Sequence, residues 1–130
     1  MHPKVRIGLA LVAALAIFGA GWALGQKQNK FGTPKTIIHV VTVKFKAEAS
    51  EADRQKGLDG IKEMAAQIPG IKNVWVKSTR VQPRDFHAAF VIEFEDRGAA
   101  DLYAEHPAHK EWEKFYLSIR QESRSVQVTN

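Results

Sequence analysis

The side chains best suited to chemistry fall in one short run, Tyr103-Ala-Glu-His106-Pro-Ala-His109, followed by Trp112, Phe115 and Tyr116. An imidazole accepts or passes on a proton near neutral pH, and a phenol can donate a hydrogen bond to a developing oxyanion. Pro107 suits the first position of a helix, where its missing N–H costs nothing. It also pushes His106 out of helical geometry and into a capping position. His109 then falls on the first turn, and the spacing His109, Trp112, Phe115/Tyr116, Ile119 follows the helical period. Its ring is therefore expected to point with the aromatics toward the core. A helix N-terminus and burial both disfavour a positive ring, so this placement suits a neutral imidazole that accepts a proton or holds a ligand. A plainer reading stands beside this one. His109 would be a hydrogen-bonded core histidine, Tyr103 a core aromatic and His106 only a cap.

The elements that must position this run can be read from the pattern around it. Thr36–Phe45 is β-branched and alternating, which predicts a strand. One face would carry Ile37, His39, Val41, Val43 and Phe45, and the other Ile38, Val40, Thr42 and Lys44. Ser50 and Asp53 form an imperfect capping box, and Leu58, Ile61, Ala65 and Ile68 mark an amphipathic helix that Pro69-Gly70 ends. Val74–Thr79 is a second expected strand, Gln82–Asp85 a turn and Ala88–Phe94 a third strand. Ala99–Glu105 is a short helix, followed by the helix that His109 opens, and Ser125–Val128 a fourth strand. Trp75 lies on a strand and could face either side. The order β-α-β-β-α-β is that of a ferredoxin-like α+β sheet with helices on one face. The uncovered face would then hold Ile38, Val40, Thr42, Ala89 and Val91, too apolar for water. Two such sheets packed face to face would bury it, so a homodimer is expected.

Composition narrows the function classes. The net charge is +5, but Lys4, Arg6, Lys27 and Lys30 hold four of the 19 basic residues. The rest of the chain therefore carries 15 bases against 14 acids. There is no basic stripe with interleaved aromatics, and no nucleic-acid partner is expected. The absence of cysteine excludes disulfides, thiolate catalysis and a lipoprotein anchor. Ile7–Leu24 runs for 18 uncharged residues, about 27 Å as a helix and near the thickness of a bilayer core. Lys4 and Arg6 precede it and Lys27 and Lys30 follow. Residues 1–25 thus read as a single-pass membrane anchor with the domain on the extracytoplasmic side. The alternative is a signal peptide cleaved near Gly25, leaving a secreted or periplasmic protein. Residues 26–35 read as a linker and 36–130 as the domain.

Four segments, in this order and spacing, resemble the stress-responsive A/B barrel (Dabb) family of dimeric α+β barrels. They are Ile38-His-Val-Val-41 with Lys44-Phe-Lys46, Ile68-Pro-Gly-Ile71, Phe94-Glu-Asp96, and Tyr103 through His109. The match covers about residues 37–128. More distantly the chain is similar to plant polyketide cyclases of the olivetolic acid type, which close a ring by aldol condensation. That resemblance implies an acid–base pair, Tyr103 and His109, in a pocket between sheet and helices. His39, Val41, Phe90 and Trp112 would line the pocket. The histidine those enzymes carry on the third strand has no counterpart. The corresponding position is Ala88, and His87 lies one residue earlier, where strand alternation would turn it to the dimer side or its rim. This departure also argues against a metal site of His39, His87 and His109, and neither metal nor cofactor is expected. Three function classes follow. One is a stress-associated module binding a small apolar or carbonyl-bearing ligand, one an aldol cyclase or isomerase, and one a structural dimerisation domain.

Overall fold

The computed structural model describes residues 29–130 and, before them, Ala13 alone. The expected membrane segment Ile7–Leu24 lies otherwise outside the described residues. Among those residues no helix is long and apolar enough to cross a membrane. Asn29–Lys35 is exposed and without regular structure. Beyond it the chain forms β1 (Ile37–Phe45), α1 (Glu51–Ala65), β2 (Ile71–Trp75), β3 (Ala88–Phe94), α2 (Arg97–Tyr103), α3 (Pro107–Ile119) and β4 (Arg120–Val128). The strands make one antiparallel sheet in the order β2-β3-β1-β4. This is the expected ferredoxin-like arrangement.

Alternation along the two central strands separates the faces of the sheet. Val41, Val43 and Phe45 of β1 and Ala88, Phe90, Ile92 and Phe94 of β3 are buried. They meet Ile61 and Met64 of α1 and Tyr116 and Ile119 of α3. The residues between them, Ile38, Val40, Thr42, Ala89 and Val91, point the other way and are only half-buried. The edge strands continue that outer face. Trp75 pairs with Val91, Val126 with Val40 and Val128 with Ile38, and all three edge residues are substantially exposed.

Several boundaries differ from the sequence expectation. The second strand begins at Ile71 and ends at Trp75 rather than running from Val74 to Thr79. Gly70, at φ 83°, turns the chain directly from the end of the helix into the strand, and its carbonyl accepts from Glu95 N–H at 2.8 Å. Helix α1 stops at Ala65, and Ile68 is buried in the turn that follows it. Helix α2 starts earlier than Ala99, because the Asp96 carboxylate caps it by accepting from Ala99 N–H at 2.9 Å. β4 begins at Arg120, directly after α3, five residues before the expected strand. Its pairing with β1 from Ile38 to Phe45 supplies the hydrogen bonds that its polar sequence does not advertise.

Candidate functional site

Helix α3 sets the site. Pro107 occupies its first turn, and His106 caps it through Nδ1, which accepts from Ala108 N–H at 3.1 Å. That start fixes the phase of the helix, so that His109, Trp112 and Tyr116 turn toward the sheet. Helix α2 ends at Tyr103, which is buried with its ring edge-on to Phe94 at 5.2 Å and to His109 at 4.4 Å. His39 reaches the same place from β1, its ring centre 6.1 Å from that of Tyr103. Trp112 and Tyr116, one turn apart, are stacked at 4.5 Å, and both meet Phe90 edge-on. Trp112 is held by donating Nε1–H to Gly57 O of α1 at 2.8 Å.

These side chains line an open cavity of about 120 Å³. His39, Val41, Phe90, Tyr103, His109 and Trp112 all line it, so the structure brings together every residue expected at the pocket. Glu113, Tyr116, Arg120, Ser123 and Ser125 complete the wall. Of these, Tyr116 belongs to the aromatic stripe that the helical spacing turns toward the core. Arg120, Ser123 and Ser125 come from the stretch of β4 that its polar sequence hid or left without a face. Glu113 lies four residues after His109 on the same helical stripe, a spacing that could have found it. Arg120 donates from Nη1 to Ser123 Oγ at 3.1 Å and lies over the Tyr116 ring at 5.4 Å.

Two polar atoms of the lining residues are unsatisfied. His39 Nδ1 and the Tyr116 hydroxyl are buried without a hydrogen-bond partner. A buried polar atom left so costs about 1–3 kcal/mol. Burial, and then the charge of His109, holds the His39 imidazole below its ordinary 6.5. Burial above all, reinforced by the carboxylate of Glu113, pushes the Tyr103 phenol well above 10, so it stays protonated and acts as a donor. Burial raises Tyr116 too. Ser123 and Arg120 oppose the rise, although neither reaches hydrogen-bonding geometry with its hydroxyl. His109 is half-buried rather than enclosed, and its Nδ1 lies 3.2 Å from Ala104 O. With the proton on Nδ1 donated to that carbonyl, Nε2 keeps a free lone pair. The arrangement therefore combines an O–H donor with an imidazole acceptor on one small space whose wall is mixed polar and apolar.

His87 stands apart from this group. It lies just before β3, so strand alternation does not govern it, and the expectation of a side chain turned to the dimer side or its rim is corrected. Its Nδ1 accepts from Phe45 N–H at 2.9 Å, and its ring is parallel to Phe45, a core side chain, at 6.1 Å. His39, His87 and His109 are therefore not gathered, and among the described residues no cluster of His, Asp or Glu is placed to hold a metal ion.

Solved structures share the fold. A Dabb family protein from Mesorhizobium loti, described as ferredoxin-like, aligns with a TM-score of 0.63 and 21% identity, over 73% of this chain and 96% of its own. A dimeric ferredoxin-like protein of unknown function from Thermobifida fusca aligns with a TM-score of 0.65 and 15% identity, over 81% and 100%. A cofactor-independent oxygenase, SnoaB from Streptomyces nogalater, aligns with a TM-score of 0.61 and 12% identity, over 74% and 93%. At these identities the likeness is one of fold. No curated protein matches the sequence. The family model for the stress responsive A/B barrel domain matches residues 37–130, the whole folded sheet and its helices. The chain belongs to the Dabb family.

Proposed function

We propose that the domain is a homodimeric binding module whose cavity takes a small carbonyl-bearing molecule. The observation that carries this reading is the cleft itself, where the Tyr103 phenol and the His109 imidazole line one space with Val41, Phe90 and Trp112. A carbonyl oxygen would accept from the Tyr103 hydroxyl, and the apolar remainder would lie against Val41, Phe90 and Trp112. The volume is well below the roughly 300–1,000 Å³ of sites for drug-sized ligands. The ligand is accordingly small, or only its reactive end enters. Cyclohexanone titrated into the full chain and followed by ligand-observed NMR tests the reading. Saturable binding is expected, weakened roughly threefold to tenfold in Tyr103→Phe. Equal affinity in the variant would remove Tyr103 from the site.

The protonated phenol beside a free imidazole nitrogen favours a second reading, catalysis of aldol or isomerase type. His109 Nε2 would take a proton from the carbon next to the carbonyl. The electron pair would move onto the oxygen, held by the Tyr103 hydroxyl, and the proton would return to carbon. Deuterium exchange at that carbon of cyclohexanone, lost in His109→Ala, is the expected sign. Exchange no faster than in buffer leaves binding as the function.

The apolar outer face supports the homodimer, and the Thermobifida fusca protein of the same fold is described as dimeric. The stress association rests on the family's name alone. Residues 7–24 are proposed to hold the domain at a membrane on the extracytoplasmic side. Cell fractionation with protease protection checks this, and recovery of the intact chain in the soluble fraction would contradict it.

A further inference from the structure

The segment between β2 and β3 wraps one end of the sheet and carries charge that the inner cavity does not use. Residues 76–87 hold Lys77, Arg80 and Arg84 against Asp85 alone. That one carboxylate is already paired with Lys44 at 3.0 Å. Arg80 and Arg84 are exposed and have no ion-pair partner among the described residues. Arg124 comes over the ring of Phe86 at 5.0 Å, adding a third guanidinium beside the segment.

Two adjoining hollows open at this end, of about 380 and 340 Å³, and they share Arg84, Phe86 and His87. The first is backed by Phe45, Leu58 and Ala88 and bordered by Arg54 of α1. Arg54 is held in place by donating to Ala49 O at 3.1 Å and to Lys46 O at 3.4 Å. The second is bordered by Arg80 and the hydroxyls of Ser78 and Thr79. Glu51 is the only acid on either wall. His87 adds a fixed donor. Its Nδ1 accepts from Phe45 N–H, so the ring proton sits on Nε2 and is available to a ligand.

We propose that this end of the sheet binds an organic anion, a carboxylate on a small apolar body. Arg80, Arg84 and His87 Nε2–H take the carboxylate, while the body lies against the wall of Phe45, Leu58 and Phe86. Planar guanidinium forks match a carboxylate edge, and an N–H beside them completes the acceptor demand of its two oxygens. Mixed apolar and donor walls distinguish this from a bare charged patch, which would take inorganic phosphate as readily. The site is separate from the cavity of Tyr103 and His109, with which it shares no lining residue.

The test is calorimetric titration of the full chain with benzoate, beside neutral benzamide and inorganic phosphate, at low and high salt. Benzoate is expected to saturate one site per chain, to outbind both controls and to weaken as salt rises. Arg80→Gln and Arg84→Gln should each weaken it about tenfold at unchanged thermal midpoint, and Tyr103→Phe should leave it unaltered. Absence of saturation, phosphate binding as tight as benzoate, or undiminished affinity in both arginine variants would overturn the proposal. So would loss of benzoate binding in Tyr103→Phe, which would put the anion in the inner cavity.

Discussion

At the residue scale the site rests on three rings from three elements: His39 on β1, Tyr103 at the end of α2 and His109 on the first turn of α3. Their convergence was implied by the resemblance to the Dabb family, and the sequence pattern agreed with it for His39 and His109. Alternation put His39 on the same face as Val41, the proline fixed the start of α3, and the three-residue step from His109 to Trp112 gave the stripe. What could not be read was the partner state of single atoms. The orphaned His39 Nδ1 and Tyr116 hydroxyl follow from how β1, α3 and β4 pack, and no local pattern encodes that. His39 supplies a test of its own. Its folded pKa is lowered from 6.5, by burial first and by His109 second. Below that value the unfolded chain binds a proton that the folded chain resists, so stability rises with pH through the window under 6.5. His39 therefore contributes no penalty above it and a growing one as the solution turns acid. Urea denaturation between pH 5 and 8 should show a flatter pH dependence for His39→Leu than for the parent chain. Parallel curves would mean that His39 titrates alike in both states.

At the element scale the best-read pieces are those with strong internal pattern. Ala88–Phe94 coincides with β3 because apolar side chains alternate on both of its faces. β4 was half missed for the opposite reason. Arg-Gln-Glu-Ser-Arg carries no alternation, and its strand conformation comes from pairing with β1, a contact between residues some eighty positions apart. Consequently Arg120 and Ser123, which close the cavity, lay beyond sequence reading. Two junctions carry predictions. His106→Ala removes the acceptor for Ala108 N–H and should lower stability by about 1 kcal/mol, as loss of a helix cap does. Gly70→Ala should cost more. Its positive φ is strained for any residue with a Cβ, by about 1–3 kcal/mol, and that Cβ would come within 2.5 Å of the Ala99 Cβ. Chemical denaturation measures both, and a Gly70→Ala protein as stable as the parent would mean that the β2 entry can be rebuilt without left-handed backbone.

At the scale of the whole molecule, one face of the sheet carries helices and the cavity, while the other is left apolar. Trp75, Val126 and Val128 are 46%, 55% and 50% exposed on that outer face, beside Val40 and Val91. A second copy covering it accounts for this composition, and light scattering should return twice the chain mass. Lysine at both Val126 and Val128 should give a folded monomer, since both side chains are already half in water and their replacement leaves the core untouched. A parent chain that is monomeric at micromolar concentration would contradict the dimer. The central claim concerns the inner cavity, and the most direct measurement is of its imidazole nitrogens. Long-range 1H–15N correlation spectra of the full chain, recorded as cyclohexanone is added, should show His109 Nε2 and His39 Nδ1 shifting together along one saturable curve, with His87 and His106 unmoved. Imidazole signals that stay fixed at saturating ketone, or that move only with His87, would contradict the account.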